Sequence, residues 1–304
     1  MRIAMLGLGR MGLNMARRLL GGGHEVVAWN RSPGPVEALA AQGAVPAFSL
    51  EEAVAALPGP RTLWLMLPAQ VVDEHLDALR PLLAPGDLLV DGGNSPYKAD
   101  PGRGRALAEA GLLYVDAGVS GGIWGLTEGY CTMVGGPPEA YERLRPALDT
   151  LAPPGGHMHC GPHGAGHYAK MIHNGIEYGM MQAYAEGFAL LEASPYGPGL
   201  DLGALARLWN RGSVVRSWLL ELVAAALERD PALADVAPYV EDSGEGRWAV
   251  DSAVELGVPA PVLALSLMAR FRSRQDNAFA DRLLAALRGE FGGHAVRRPG
   301  EEQP

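Results

Sequence analysis

The chain predicts two domains of different class, an N-terminal α/β domain on a doubly wound, mostly parallel sheet and a following all-α domain. Three observations carry this expectation. A short apolar run, Arg2 to Leu6, leads into a glycine-rich turn, and strand-like and helix-like segments then alternate to about residue 163. Such alternation builds a parallel sheet with helices on both faces. After Gly166 the strand signals fade and long apolar-periodic segments take over, broken only at Pro195–Gly199, Asp230-Pro231 and Ser243–Gly246. A length of 304 residues gives room for two cores. The expected divisions are 1–163, 164–294 and a disordered tail over 295–304.

Taken in order, Arg2–Leu6 reads as a buried parallel strand, Met11–Leu20 as a helix and Glu25–Trp29 as a second strand. The turn between the first two is Gly7-Leu8-Gly9-Arg10-Met11-Gly12. G-x-G-x-x-G is a weak signal alone, but inside a βαβ unit it reads as a Rossmann dinucleotide-binding loop. The first glycine makes the turn, the second lets the backbone approach a pyrophosphate, the third permits close packing, and the helix N-terminus faces the phosphates. The alternative is a glycine turn in a Rossmann-like domain without a cofactor. The second strand ends in Trp29-Asn30-Arg31-Ser32, with no carboxylate for a ribose 2'-hydroxyl. This favours NADP, with Asn30, Arg31 and Ser32 around the 2'-phosphate; NAD stays open, with Arg31 then a surface residue.

Ser49-Leu50-Glu51-Glu52 is a capping box opening a short helix. Thr62–Leu67 and Leu88–Asp91 read as strands ending in Pro68 and in Gly92-Gly93-Asn94. Open α/β sheets bind ligands at such carboxyl ends, which places Leu67, Pro68 and Asn94 beside the cofactor. Asn94 can bond a nicotinamide or a sugar hydroxyl, or simply complete a turn. A strand from Leu113 runs into Gly118-Val119-Ser120-Gly121-Gly122, and a further glycine-rich stretch, Gly125 to Gly136, follows with Tyr130–Val134 between its glycines. Glycine at this density exposes backbone N–H groups that can hold a carboxylate or hydroxyl, with Ser120 as an adaptable partner or a plain turn cap.

The chemistry is expected on the helix that follows, Ala165 to Ala193. Lys170, His173, Asn174, Glu177 and Tyr178 recur at i, i+3, i+4, i+7 and i+8, so they share one face. Met171, Ile172, Ile176 and Met180 surround this polar stripe, which predicts a largely buried helix whose polar face lines a cleft. A buried hydrogen-bonded helix without chemistry is the alternative. Desolvation and the helix dipole would favour a neutral Lys170 able to act as a base. Glu177, about 10 Å further along the axis at 1.5 Å per residue, would supply an acid.

Composition bounds the rest. A net charge of -9 argues against a general nucleic-acid surface, and no run of 18 apolar residues could span a membrane. Two cysteines, Cys131 and Cys160, fit a reducing cytoplasm, and no signal peptide is visible. His157, His159 and His163 fall in a Pro/Gly-rich connector, and with His167 and His173 they lack zinc-site spacing, so no metal is expected.

The run Gly164-Ala-Gly-His-Tyr-Ala-Lys-Met-Ile-His-Asn-Gly-Ile-Glu-Tyr-Gly179 resembles the signature helix of the 6-phosphogluconate dehydrogenase family. Gly7–Gly12, Asn30-Arg31, Asp91-Gly-Gly-Asn-Ser95 with Tyr97, and Gly118–Gly122 resemble it too, in order, so the similarity spans the whole chain and points to the family's short bacterial type. The resemblance implies oxidative decarboxylation of 6-phosphogluconate to ribulose 5-phosphate, with Lys170 as base and Glu177 as acid. Asn94, Ser120, Gly121, Gly122, His173 and Asn174 would hold the sugar acid, and Tyr178 and Arg270 its phosphate. It also implies a homodimer or homotetramer in which a tail carrying Arg288 and His294 completes the neighbouring site. Two departures stand out: Ser243 and Pro68 replace lysines of the long form, one for phosphate and one beside the cofactor. The competing functions are another β-hydroxyacid dehydrogenase acting on an unphosphorylated acid and a non-catalytic NADP-binding sensor.

Overall fold

A computed structural model describes residues 1–292 of the chain. Its elements run β1 (Arg2–Leu6), α1 (Arg10–Gly21), β2 (Glu25–Trp29), α2 (Pro33–Ala40), β3 (Val45–Ala47), α3 (Leu50–Ala55), β4 (Thr62–Leu65), α4 (Ala69–Leu79), β5 (Leu88–Asp91), α5 (Asp100–Ala108), β6 (Leu113–Ser120), α6 (Gly125–Glu128), β7 (Cys131–Gly135), α7 (Pro138–Leu151) and β8 (His157–Gly161). Helices alone follow: α8 (Ala165–Glu192), α9 (Leu202–Trp209), α10 (Trp218–Arg229), α11 (Glu245–Leu256), α12 (Pro261–Arg272) and α13 (Phe279–Gly292). Contacts group the chain into two compact units that divide at Asn174/Gly175, inside α8. His294 and the expected 295–304 tail lie outside the described residues.

In the first unit the strands form one sheet in the order β3-β2-β1-β4-β5-β6-β7-β8. All neighbours pair parallel except β6 and β7, which run antiparallel from Asp116↔Gly135 to Ser120↔Cys131. The order reverses between β1 and β4, which opens a crevice at their carboxyl ends. Both faces of the sheet are covered, which is why its strands read as unbroken apolar runs rather than alternations. On β1, Ile3 and Met5 pack with Met15, Leu19, Leu144 and Leu148 on one face, while Ala4 and Leu6 join Leu63, Val72 and Leu76 on the other.

Local signals set the ends of the elements. Ser49 accepts a hydrogen bond from the Glu52 N–H, and the Glu52 carboxylate accepts one from the Phe48 N–H, so the capping box closes one residue further out than its usual form. β4 stops at Leu65 rather than Leu67, because the backbone of Met66 and Leu67 lies against Gly7 and Gly93; a Cβ on either glycine would meet a carbonyl oxygen at 2.5 Å. The His157–Gly161 stretch is not a connector. It pairs with β7 as an edge strand, and an edge needs neither alternation nor β-branched residues to hold its single ladder.

Asp87, at the entry to β5, accepts hydrogen bonds from the backbone N–H of Ala84 and of Arg61 and from the Arg61 guanidinium. Burial pushes its carboxyl up, but these three donors outweigh burial and hold it below the ordinary carboxylate value. A depressed folded-state pKa adds stability that is complete above the unfolded value of about 3.9 and is lost as pH falls through the folded one. The melting temperature of Asp87→Asn should therefore lie below wild type at pH 7, and the gap should narrow as pH falls below the ordinary carboxylate range. A gap that stays constant with pH would refute this account.

The second unit is helical, as expected, with a small core of Phe188, Ala206, Leu220, Ala224 and Leu227. The expectation that α8 is largely buried is corrected. Ile176, Met180 and Met181 are 52%, 37% and 42% exposed, because the helix packs through its small residues, Gly175 against Leu263 and Gly179 against Val262. No helix of the described residues is long and apolar enough to cross a membrane.

Candidate active site

The nucleotide loop is shaped for a phosphate. Gly7 has a φ of 102°, and a Cβ on Gly12 would lie 2.1 Å from the Gly7 carbonyl, so both positions exclude side chains. A Cβ on Gly9, by contrast, would meet nothing within 4 Å. Gly9 caps α1 without a side-chain hydrogen bond and no acid lies in the first turn, which leaves N–H groups and a positive helix end facing open space. A dinucleotide pyrophosphate fits this cradle. Leu8 is buried, while Arg10 is exposed. Asn30 does something the sequence did not disclose: its Oδ1 accepts from the Leu8 N–H and its Nδ2 donates to the Ser32 carbonyl, so both ends of the amide brace loops. Arg31 and Ser32 are exposed beside it. Pro68 starts α4 as its cap residue, next to half-buried Leu67.

At the end of β5, Asp91 accepts from the Gly93 N–H and the Ser95 hydroxyl and fixes the turn that leaves Asn94 exposed. Ser120 is the last residue of β6 rather than a loop residue, and Gly121 and Gly122 follow with φ of 134° and 55°. Lys170 lies directly on this strand: a Cβ on Gly118 would be 2.3 Å from the Lys170 Cβ. Lys170 Nζ donates to Asn174 Oδ1 at 2.7 Å, and His173 Nδ1 lies 3.1 Å from the same oxygen. Three of the five stripe residues thus form one hydrogen-bonded group in the first unit. Asn174 is nearly buried, and its fixed carbonyl orients the lysine head.

The second unit holds the other two. Glu177 is half-buried, and Tyr178 is buried with its ring under the Arg270 guanidinium, 3.5 Å from the centroid. The Tyr178 hydroxyl accepts from the Ser243 N–H at 3.3 Å, and Arg270 donates to the Glu241 carbonyl. Asp242 receives both Arg247 and Arg274, whose guanidiniums hold its carboxyl far below the ordinary range. Cations therefore surround the 241–243 turn although Ser243 itself carries no charge. Arg288 is exposed on α13. A cavity of about 510 Å³ lies elsewhere in this unit, lined by Tyr184, Phe188, Leu219, Val223 and Leu227; such an apolar lining does not suit a sugar phosphate.

Comparison with known proteins places the chain in a family. A family model described as the NAD binding domain of 6-phosphogluconate dehydrogenase matches residues 2–161, and the model of that enzyme's C-terminal domain matches residues 166–285. A Haloferax volcanii protein named 6-phosphogluconate dehydrogenase, NAD(+)-dependent, decarboxylating is 46% identical over 98% of this chain and 99% of its own. The chain belongs to the 6-phosphogluconate dehydrogenase family. Among solved structures, Plasmodium falciparum 6-phosphogluconate dehydrogenase superposes with a TM-score of 0.83 at 27% identity, covering 99% of this chain and 67% of that one. A Mycobacterium tuberculosis 3-hydroxyisobutyrate dehydrogenase superposes with a TM-score of 0.70 at 28% identity, covering 87% and 90%. This member of the 6-phosphogluconate dehydrogenase family has the short form and sits among the β-hydroxyacid dehydrogenases, with a Rossmann-like nicotinamide-binding domain followed by a helical region.

Sequence reasoning missed the charged group beneath the 6-phosphogluconate dehydrogenase signature helix. His167 Nδ1 lies 2.8 Å from Asp100, Tyr114 donates to Asp100, and Arg103 reaches Asp73, Asp91 and Asp100. Burial lowers the His167 pKa, but the bond to Asp100 and the charges of Asp91, Asp100 and Asp116 outweigh it, so the net shift is upward. Among the described residues Asp91, Asp100 and His167 have the closeness of metal ligands. The Arg103 guanidinium, 3.1 Å from Asp91 and 3.3 Å from Asp100, already supplies the cation there. The available signal was Asp116, a lone acid inside an apolar strand run, and the Asp-x-x-Arg spacing of Asp100 and Arg103.

Proposed function

We propose that the chain oxidises and decarboxylates 6-phosphogluconate to ribulose 5-phosphate and carbon dioxide, in the cytoplasmic pentose phosphate pathway and gluconate utilisation. The supporting observation is the Lys170–Asn174–His173 hydrogen-bonded group packed on the strand that ends in Ser120. Gly7–Gly12, Asn30, Arg31, Ser32, Leu67, Pro68 and Asn94 would hold the dinucleotide, and a bound nicotinamide supplies the two-electron acceptor for C3 of the substrate.

Lys170 takes the C3 hydroxyl proton as that carbon is oxidised, and Asn174 holds the resulting ammonium against the new carbonyl. The C1–C2 bond then breaks; its electron pair passes towards the C3 oxygen, which Lys170 protonates, and carbon dioxide leaves. Glu177 protonates C1 of the enediol, which was C2 of the substrate, while the hydroxyl on the former C3 returns its proton to Lys170 and becomes the C2 ketone of the product. Ser120, Gly121, Gly122, Asn94 and His173 orient the sugar acid. Arg270 on Tyr178, with Arg288 and His294 of a neighbouring copy in a homodimer or homotetramer, faces the phosphate.

Mixing the purified protein with 6-phosphogluconate and NADP should give reduced cofactor and carbon dioxide in equal amounts. NADP is favoured because β2 ends in Asn30-Arg31-Ser32 without an acid, and Arg31→Ala should lower that preference about tenfold. NAD is the second cofactor reading, because the Haloferax volcanii relative is named NAD(+)-dependent. At least a tenfold preference of wild type for NAD would overturn the NADP assignment. Likeness to 3-hydroxyisobutyrate dehydrogenase supports a second substrate reading, an unphosphorylated hydroxy acid, which a substrate screen would reveal.

A further inference from the structure

The residue before α8 is Gly164, which carries no side chain to accept the first N–H groups of the helix. Asp116, on β6 and fully buried, takes over that role: Oδ1 accepts from the Gly164 N–H at 2.7 Å and Oδ2 from the His167 N–H at 2.9 Å. Those are the two bonds that a capping box makes with two separate local side chains. Here one carboxylate makes both, from 48 and 51 residues away. Its positive helix end is therefore met by Asp116, not directed at Lys170 as the sequence suggested.

Room for this carboxylate comes from missing side chains. A Cβ on Gly135 would lie 2.6 and 2.7 Å from the Asp116 oxygens, and one on Gly166 would lie 2.5 Å from the Met133 carbonyl and 2.6 Å from that of Asp116. Helix and strand consequently meet backbone to backbone. Residues 116, 118 and 120 share one face of β6. Along that face Asp116 anchors the helix start, Gly118 receives the stem of Lys170, and Ser120 ends the strand. His167, one turn before Lys170, is bonded to Asp100 on α5, which opposes rotation of the helix about its axis. Axial position and rotation are thus fixed by different groups.

We propose that Asp116 is a positioning residue for the reaction: by capping α8 from β6 it sets the height of Lys170 relative to Ser120. This rests on the reading of Lys170 as the base. A displacement of about 1 Å of a reacting group can cost on the order of 100-fold in rate.

The test compares wild type with Asp116→Asn, in which one oxygen still accepts but the amide NH2 faces the second N–H. Four readings are taken: hydrogen exchange of amides 164–170, dissociation constants for NADP and NAD, turnover on whichever hydroxy acid the wild type oxidises, and the deuterium isotope effect on that turnover. Exchange at 164–168 should accelerate, cofactor affinity should stay within twofold, and kcat should fall between tenfold and 100-fold. The deuterium isotope effect for substrate labelled at the oxidised carbon should rise, which a mere loss of folded protein would not produce. Gly118→Ala, which displaces the Lys170 stem and leaves the cap intact, should lower kcat without the change in exchange; it keeps the test available if Asp116→Asn does not fold. Unchanged exchange in Asp116→Asn, or kcat per cofactor-binding site within twofold of wild type in either variant, would overturn the proposal. Failure of wild type on 6-phosphogluconate with turnover of another hydroxy acid would instead overturn the substrate reading and leave this comparison intact.

Discussion

Lys170→Ala should lower kcat by roughly 10³-fold or more while leaving the dissociation constant for the cofactor within twofold. General acid–base catalysis by one positioned group contributes about 10²–10⁴-fold. Lys170 is assigned both the first proton transfer and the protonation of the C3 oxygen, so the upper part of that range applies. The Gly7–Gly12 loop makes no use of the lysine, and His173 still reaches Asn174 Oδ1 when it is gone. Absorbance of the reduced nicotinamide gives kcat, and a fluorescence titration gives the cofactor affinity. A variant that retains a tenth of wild-type turnover would remove Lys170 from its role. Equal loss of binding and turnover would show that the substitution damaged the fold.

Arg103→Ala should destabilise the protein by about 3–5 kcal/mol, the usual cost of leaving a buried charge without its partner. The Arg103 side chain is 8% exposed, and the Asp91 and Asp100 carboxylates it neutralises are 0% exposed. Removing the guanidinium leaves two buried acids facing each other with His167 as their remaining counter-charge. Arg103→Lys should recover only part of the loss, because one ammonium cannot span Asp73, Asp91 and Asp100 as the planar fork does. Urea denaturation followed by circular dichroism measures both variants. A change under 1 kcal/mol for the alanine variant would mean that water reaches the site and screens it.

Arg2–Leu6, Glu25–Trp29 and Leu88–Asp91 were legible because both their faces are buried and glycines punctuate their ends, whereas Val45–Ala47 and Cys131–Gly135 carried no strand signal that was read. His157–Gly161 was not legible either, since an edge strand is held by one neighbour and carries no periodic signature. The polar stripe from Lys170 to Tyr178 could be read from 3.6-residue periodicity. The contacts that orient it could not, because they join residues far apart in sequence: Asp116 with Gly164, Asp100 with His167, Arg270 with Tyr178. Exposure of Ile176 and Met180 escaped prediction for a related reason. Periodicity says which residues share a face, but not whether the rest of the same chain covers that face.

The borrowed cap also decides where the chain can be cut. A fragment ending at His163, at the change of composition, would keep Asp116 inside the sheet and delete both N–H groups that satisfy it. Asp116 would then exchange two backbone donors for water, and the sheet would lose the packing of α8 against β6 and β7. The compact nucleotide-binding unit accordingly runs past its last strand to Asn174. A graft of this half onto a foreign helical partner that brings the Gly164–His167 segment along with the sheet keeps both bonds to Asp116, and one cut at His163 loses them.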